Sequence, residues 1–226
     1  MKKKKSVILL SGGLDSSLVL SIAIQKGYQT HCISFDYGQK HRSELIFAKK
    51  QVEIQKATSH RIFKIDFFGG SALTDKIPLP RNETVENISK EIPITYVPAR
   101  NTIFLSYALG YSEFLSCNNV FIGVNAIDYS GYPDCRPEFI KKYEELSNIA
   151  TKRGLEGNFF KIHTPLIEMS KKEIVSKAIK NKVDLKSTSS CYSPSNNISC
   201  GKCDSCLLRR KGFEEAGFKD PIIYAS

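Results

Sequence analysis

Val7-Ile8-Leu9-Leu10-Ser11-Gly12-Gly13-Leu14-Asp15-Ser16-Ser17-Leu18-Val19-Leu20 is the stretch that decides the fold of this chain. Its first four residues are continuously apolar and stop at a turn signal, which reads as a buried strand. Gly12-Gly13 makes the turn, and the apolar run from Leu18 to Ile24 continues as a helix. Such a turn can wrap an anion. Glycine lets the backbone approach phosphate oxygens without a Cβ in the way. The first helical N–H groups and the positive end of the helix dipole face the same point. Ser11, Ser16 and Ser17 add hydroxyl donors. No Gly-Lys-Ser/Thr follows, so this is not a Walker A loop. Asp15 beside a polyphosphate makes sense when Mg²⁺ lies between them, held by the carboxylate and the phosphates. The plainer reading, a strand-helix turn capped by Asp15, leaves the glycines and hydroxyls unexplained.

Outward from this turn, strand-like runs alternate with helical periods. Residues 29–35, 61–67, 119–124 and 159–163 read as further strands. Residues 17–26, 42–57, 100–115, 137–151 and 171–182 read as helices. Ser170 and Glu173 have the spacing of a capping box. This alternation predicts an α/β fold, a parallel sheet with helices on both faces. Ligands of such sheets bind at the carboxyl ends of the strands. Residues 11–17, 35–39 and 125–135 fall there. Residues 68–96 hold three prolines and no sustained period, which predicts a long loop beside the site.

The 226 residues suffice for one large domain or a domain with an appendage. An apolar content of 41% supports an ordinary core. The formal charge is +10, with Lys2 to Lys5 supplying four of the cations. A basic surface suits nucleic acid, acidic membranes or anionic small molecules, and a lysine-rich solvated surface gives the same balance. The apolar run after the lysines is too short for a secretory signal, and no segment of ~18 apolar residues exists to span a membrane. The expected location is the cytoplasm.

Of seven cysteines, Cys32, Cys117 and Cys135 are scattered. Cys135 reads as a packed thiol. The remaining four form Cys191-x8-Cys200-x2-Cys203-x2-Cys206. Four thiolates match a closed tetrahedral zinc site, expected to be structural, with one ion per chain. An iron–sulfur cluster is the rival, since spacing alone does not choose the metal. Lys202, Arg209 and Arg210 are positioned in sequence to offset the thiolate charge. The expected organisation is a main domain over residues 1–186 and a zinc-binding segment over 187–226 packed on it.

The Ser-Gly-Gly-x-Asp-Ser string at the first strand-helix turn resembles the PP-loop family of ATP pyrophosphatases. That resemblance implies cleavage of ATP between the α and β phosphates. It also implies ATP and Mg²⁺ bound by Leu10, Ser11, Gly12, Gly13, Leu14, Asp15, Ser16, Ser17 and Leu18, with adenine near Asp36 and Tyr37. Three further strings narrow the likeness: Phe35-Asp36-Tyr37-Gly38-Gln39-Lys40-His41, Tyr96-Val97-Pro98-Ala99-Arg100-Asn101, and Gly123 to Arg136 with its Ser-Gly-Tyr-Pro-Asp-Cys-Arg. Together with the cysteines they resemble the 7-cyano-7-deazaguanine synthase family of the queuosine pathway, from the first strand to Cys206.

The resemblance implies a homodimeric ligase that turns 7-carboxy-7-deazaguanine and ammonia into the nitrile at the expense of ATP. It implies no stable nucleic-acid partner and no membrane. Asp15, Arg100 and Lys171 are the expected catalytic residues. A deazaguanine presents N–H donors that a carboxylate accepts, which makes Asp128, Asp134 and Glu138 candidates. Arg136 is a further cation for the substrate carboxylate, and Tyr129 and Tyr132 are candidates to stack on the base. His41 and His163 read as structural. The alternatives are a PP-loop enzyme that adenylates a tRNA base and a non-enzymatic zinc-ribbon nucleic-acid binder. The latter leaves Asp15 unexplained.

Overall fold

In strand β1 (Lys5–Leu9) the side chains alternate between two buried layers. Val7 and Leu9 join one apolar cluster, while Ile8 and the following Leu10 join the other. Both faces of the strand are covered, which is why its sequence is apolar without alternation. Strand β2 (Gln29–Asp36) repeats the pattern, with Ile33 and Phe35 on the first face and Cys32 on the second. So does β4 (Asn119–Phe121), through Val120 and Phe121. With β3 (Ser59–Lys64) and β5 (Lys161–His163) they form a five-stranded sheet in the order β3-β2-β1-β4-β5. All its pairings are parallel. This computed structural model describes residues 3–40, 43–66, 69–80, 85, 91–127, 131–196 and 198–225.

Helices α3 (Arg100–Phe114) and α4 (Pro137–Ile149) cover the first face through Leu105, Ala108, Ile140 and Tyr143. Helices α1 (Leu14–Gln25), α2 (Ser43–Ile54), α6 (Lys171–Lys180) and α7 (Asp204–Glu215) cover the second. Leu18, Ala48, Ile174 and Phe213 are their buried contacts there. Between α4 and β5 lies a single helical turn, α5 (Lys152–Leu155), capped by the Thr151 hydroxyl, which accepts from the Gly154 N–H. The α/β architecture expected from the sequence is therefore the one observed.

The differences are local. Helix α1 starts at Leu14 rather than Ser17, because Gly13 is its N-cap and the glycine turn runs straight into it. Strands β4 and β5 have three residues each, since β4 pairs with β1 only at Val120 and Phe121. The capping box of α6 is present: Ser170 Oγ accepts from the Glu173 N–H, and Glu173 Oε2 accepts from the Ser170 N–H. Helix α7 carries no amphipathic pattern that sequence reading could use. It is ordered by packing on α6, where Phe213 enters the core. Residues 69–80 and 91–99 carry no helix or strand, as a loop reading requires.

Candidate active site

The connection order reverses between β1 and β4, so their carboxyl ends open a crevice, where open α/β sheets bind ligands. The glycine turn fills one side of it. Gly12 has φ +84°, and a Cβ there would stand 2.5 Å from backbone atoms of Glu44 and Ala48 in α2. Any other residue would be strained and would push α2 away. Ser16 Oγ accepts from the Ser11 N–H at 3.2 Å and lies 3.0 Å from Ser11 Oγ. These bonds hold the loop closed on itself, and Ser11 and Ser16 line the cavity.

That cavity measures about 260 Å³. Of the expected nucleotide residues, Leu10, Ser11, Gly13, Leu14, Asp15, Ser16 and Tyr37 line it. Gly12 supports the loop from behind, Ser17 and Leu18 are fully buried, and Asp36 ends β2 outside the lining. All three expected catalytic residues, Asp15, Arg100 and Lys171, reach the cavity.

Asp15 does not cap α1. Its two carboxylate oxygens each accept from Lys171 Nζ at 3.0 Å, bringing the first turns of α1 and α6 together. Lys171 is buried and passes over Gly212 of α7, where a Cβ would stand 2.4 Å from its Cγ. The glycine is what leaves room for the lysine stem.

Arg100 is the first residue of α3, after Ala99 at φ +52°. Its guanidinium donates to Tyr37 Oη at 3.4 Å. Burial works against the Arg100 charge, but the facing Tyr37, Tyr132, Asp134 and Cys135 groups outweigh it and push its pKa up. Asp134 Oδ2 accepts from the Asn101 N–H at 3.0 Å, tying down the start of α3. Its charge favours the Arg100 cation, and it is not among the residues that line the cavity. Arg136 and Glu138 are exposed and also lie off the lining. Tyr132 lines the cavity, with its hydroxyl 2.6 Å from Thr95 Oγ1. Asp128 and Tyr129 lie outside the described residues.

The cavity also holds residues that sequence reading passed over. Asn125 closes the exit of β4 by donating to the carbonyls of Leu166 and Met169, just ahead of α6. Gln39 and Glu44 stand on the α2 side, with Gln39 Nε2 donating to Glu44 Oε1 at 2.9 Å. Burial pushes the Glu44 carboxyl up to about 7, while the Gln39 hydrogen bond and the Arg100 charge pull it down. Ser189, Ser190 and Tyr192 come from the cysteine-bearing segment, and the Ser189 N–H donates to the Gly12 carbonyl at 3.0 Å. The Gln39 and Glu44 positions carried a signal, a polar run after a strand. The Ser189 contact joins residues far apart in sequence and carried none.

Cys191, Cys200, Cys203 and Cys206 place their sulfurs within 4.8 Å of one another. Four thiolates around one metal at about 2.3 Å need nearly this spacing. Backbone N–H groups of Tyr192, Ser193 and Cys200 donate to Cys203 and Cys191 sulfurs at 3.2–3.4 Å. The cluster can therefore hold a metal, and its four ligands fill a tetrahedral shell. Arg209 does not serve as its counter-charge. All five guanidinium N–H donors are used: on Asp220 (2.8 and 3.0 Å), Thr188 (2.8 Å), Ser190 (3.4 Å) and the Leu185 carbonyl (3.1 Å). Arg210 lies over the Tyr224 ring, with its Cζ 5.5 Å from the centroid.

Comparison with known proteins places this geometry. The 7-cyano-7-deazaguanine synthase of Hydrogenovibrio crunogenus is 55% identical, over 99% of this chain and 97% of its own length. The protein of that name in Citrifermentans bemidjiense is 54% identical over 98% of both chains. Among solved structures, the U34-tRNA thiolase NcsA of Methanococcus maripaludis superposes with a TM-score of 0.51 at 18% identity, over 95% of this chain and 65% of that one. NMN synthetase of Francisella tularensis gives 0.50 at 15% identity, over 96% and 79%. At such identities the structures speak for the fold alone. The family described as queuosine biosynthesis protein QueC matches residues 5–217, and with these full-length relatives it follows that the chain belongs to that family.

Proposed function

We propose that this chain is an ATP-dependent ligase that converts 7-carboxy-7-deazaguanine and ammonia into 7-cyano-7-deazaguanine, in queuosine precursor biosynthesis. One observation carries the reading furthest: the glycine-serine loop, Lys171 and Arg100 converge on a single cavity at the sheet's switch point, in a chain whose full-length relatives bear that enzyme's name.

The chemistry gives each group a task. A carboxylate is a poor electrophile, and adenylation turns one of its oxygens into a leaving group. The N–H groups and hydroxyls of residues 10–18 receive the β and γ phosphates, and pyrophosphate leaves from there. Tyr37 and Asp36 stand at the end of β2, on the adenine side. Arg100 and Lys171 balance the charge that builds on the α-phosphate and on the substrate carboxylate. Lys171 is paired with Asp15 in this structure, so the two can exchange partners as phosphates enter. Asp15 would also hold Mg²⁺, which supplies charge neutralisation to the leaving pyrophosphate. Ammonia attacks the acyl adenylate to give the amide. A second adenylation at the same site activates the amide oxygen, and its departure with AMP leaves the nitrile.

Tyr132, Tyr129 and Asp128 are proposed to meet the base, while Asp134, with Arg136 and Glu138 near it, supports the wall around Arg100. Zinc is the proposed metal of the four cysteines, as a structural ion of the 187–226 segment on the 1–186 domain. We further propose a homodimer working in the cytoplasm. No helix among the described residues is long and apolar enough to cross a membrane.

Phosphorus NMR of the products tests the reading. With ATP, the deazaguanine acid and ammonia, AMP and pyrophosphate are expected. ADP and phosphate alone, or turnover triggered by bulk tRNA in place of the acid, would overturn it.

A further inference from the structure

The reaction above must dispose of a proton at each step on nitrogen, and none of the residues given a role so far accepts one. Asp15 is held by Lys171, and Asp134 is held by the start of α3. Glu44 is placed differently. It stands in the first turn of α2, whose backbone abuts Gly12 of the loop, and its side chain lines the same cavity as Arg100. Its orientation is fixed by a relay. Gln39 Oε1 accepts from the Tyr37 N–H at 2.8 Å, which sets the amide so that Nε2 donates to the Phe35 carbonyl and to Glu44 Oε1, both at 2.9 Å. Among the described residues Gln39 is the one hydrogen-bond partner of Glu44, and no cation forms a salt bridge with it. One carboxylate oxygen is thus left for a ligand in the cavity. The other charged or titratable groups around this cavity are Tyr37 beyond β2, Arg100 on α3, Tyr132 and Cys135, the Asp15–Lys171 pair from α1 and α6, Cys191 and Tyr192 of the cysteine segment, and Arg209 on α7.

We propose that Glu44 is the general base of the nitrogen steps, taking the N–H protons of the attacking ammonia and of the amide formed from it. The proposal rests on the reaction proposed above. In the first step the ammonia lone pair forms the C–N bond and the carbonyl π pair moves to oxygen. One N–H proton passes to a Glu44 oxygen, the carbonyl re-forms, and the C–O bond breaks with its electron pair leaving on AMP. In the second cycle the amide oxygen displaces pyrophosphate from a new ATP. The two remaining N–H protons then leave in turn as C≡N forms and AMP departs, and Glu44 returns each proton to water. A carboxyl whose pKa lies near the working pH can both accept and release protons in this way.

The test compares the wild type with Glu44→Gln and Glu44→Asp, after thermal melts show each to be folded. Exchange of labelled pyrophosphate into ATP, dependent on the deazaguanine acid, reads adenylation alone. Nitrile formation from the amide and ATP reads nitrogen deprotonation, free of ammonia's own ionisation. Glu44→Gln should retain exchange, lose nitrile formation by about a hundredfold or more, and lose the rise in kcat with pH through about 7. Glu44→Asp should keep that rise at a lower rate. A Glu44→Gln enzyme that keeps the pH limb, or raises the KM for ATP at unchanged kcat, would overturn the assignment. Wild type without acid-dependent exchange would instead bring down the reaction itself, and this role with it.

Discussion

Replacing Arg209 by Met should destabilise the protein far more than a surface substitution, and the size follows from the geometry. The Arg209 and Asp220 side chains are 1% and 8% exposed. Removing one partner of a buried pair typically costs about 3–5 kcal/mol, because the other charge stays behind without compensation. Here Asp220 keeps two donors, the Tyr224 hydroxyl at 2.7 Å and the Ile222 N–H at 3.2 Å. The lower end, about 3 kcal/mol, is therefore expected, which for a chain of this length lowers Tm by roughly 6–12 °C. The double variant Arg209→Met/Asp220→Asn removes the stranded charge and should recover about 1–2 kcal/mol of that loss. Urea and thermal melts followed by circular dichroism measure both. The loss should also reach the site. Arg209 holds Thr188 and Ser190 on either side of Ser189, whose N–H grips the Gly12 carbonyl, so the single variant should raise the KM for ATP more than that for the acid. A single variant within about 1 kcal/mol of wild type, or a double variant as unstable as the single one, would refute the reasoning.

Three further outcomes are expected. Asp15→Asn should cut turnover roughly a thousandfold if the carboxylate serves a phosphoryl-type transition state. It should also lower stability by about 1–2 kcal/mol, because Lys171 loses its carboxylate partner; near-normal turnover would reduce Asp15 to a partner of the lysine. Cys203→Ser should lower metal content and Tm together, and elemental analysis of the wild type should find about one zinc per chain, whereas iron with acid-labile sulfide would exclude zinc. His163 is neutral in the fold, its pKa lowered to about 4, first by burial and then by Lys26 and Lys161. The unfolded chain binds that proton at higher pH, so stability should fall as pH drops from about 6.5 toward 4. His163→Phe should flatten this part of the stability–pH curve, and an unchanged slope would move the cause elsewhere.

Much of the site was legible in the sequence because its chemistry is local. Residues 10–17 form one continuous stretch, a glycine turn running into the first turn of α1, and the four cysteines lie within sixteen residues of one another. Spacing along the chain therefore translates almost directly into spacing in space. The sheet was legible for a similar reason: a strand buried on both faces has to be apolar throughout, and Val7 to Leu10 leave no other reading. The sequence failed where a residue's task depends on a distant neighbour. Nothing in the sequence around Asp134 shows that its Oδ2 accepts from the Asn101 N–H at the start of α3. Arg209 sits beside the cysteines in sequence, yet its donors go to Asp220 and to residues 185–190. Helix α7 has no apolar stripe and packs on α6.

The sequence by itself determined the layer order, the glycine turn and the thiolate cluster, since each follows from steric and electronic properties of residues close together in the chain. Only the tertiary structure decided which charges meet. Lys171 reaches Asp15 across the sheet's switch point because Gly212 of α7 leaves space for its stem. Glu44 faces the cavity because Gly12 lets α2 lie directly against the loop. Ser189 carries the cysteine segment onto that loop through one backbone hydrogen bond. These pairings depend on how closely backbones approach one another, and close approach between distant segments is a property of packing that no local pattern of side chains encodes.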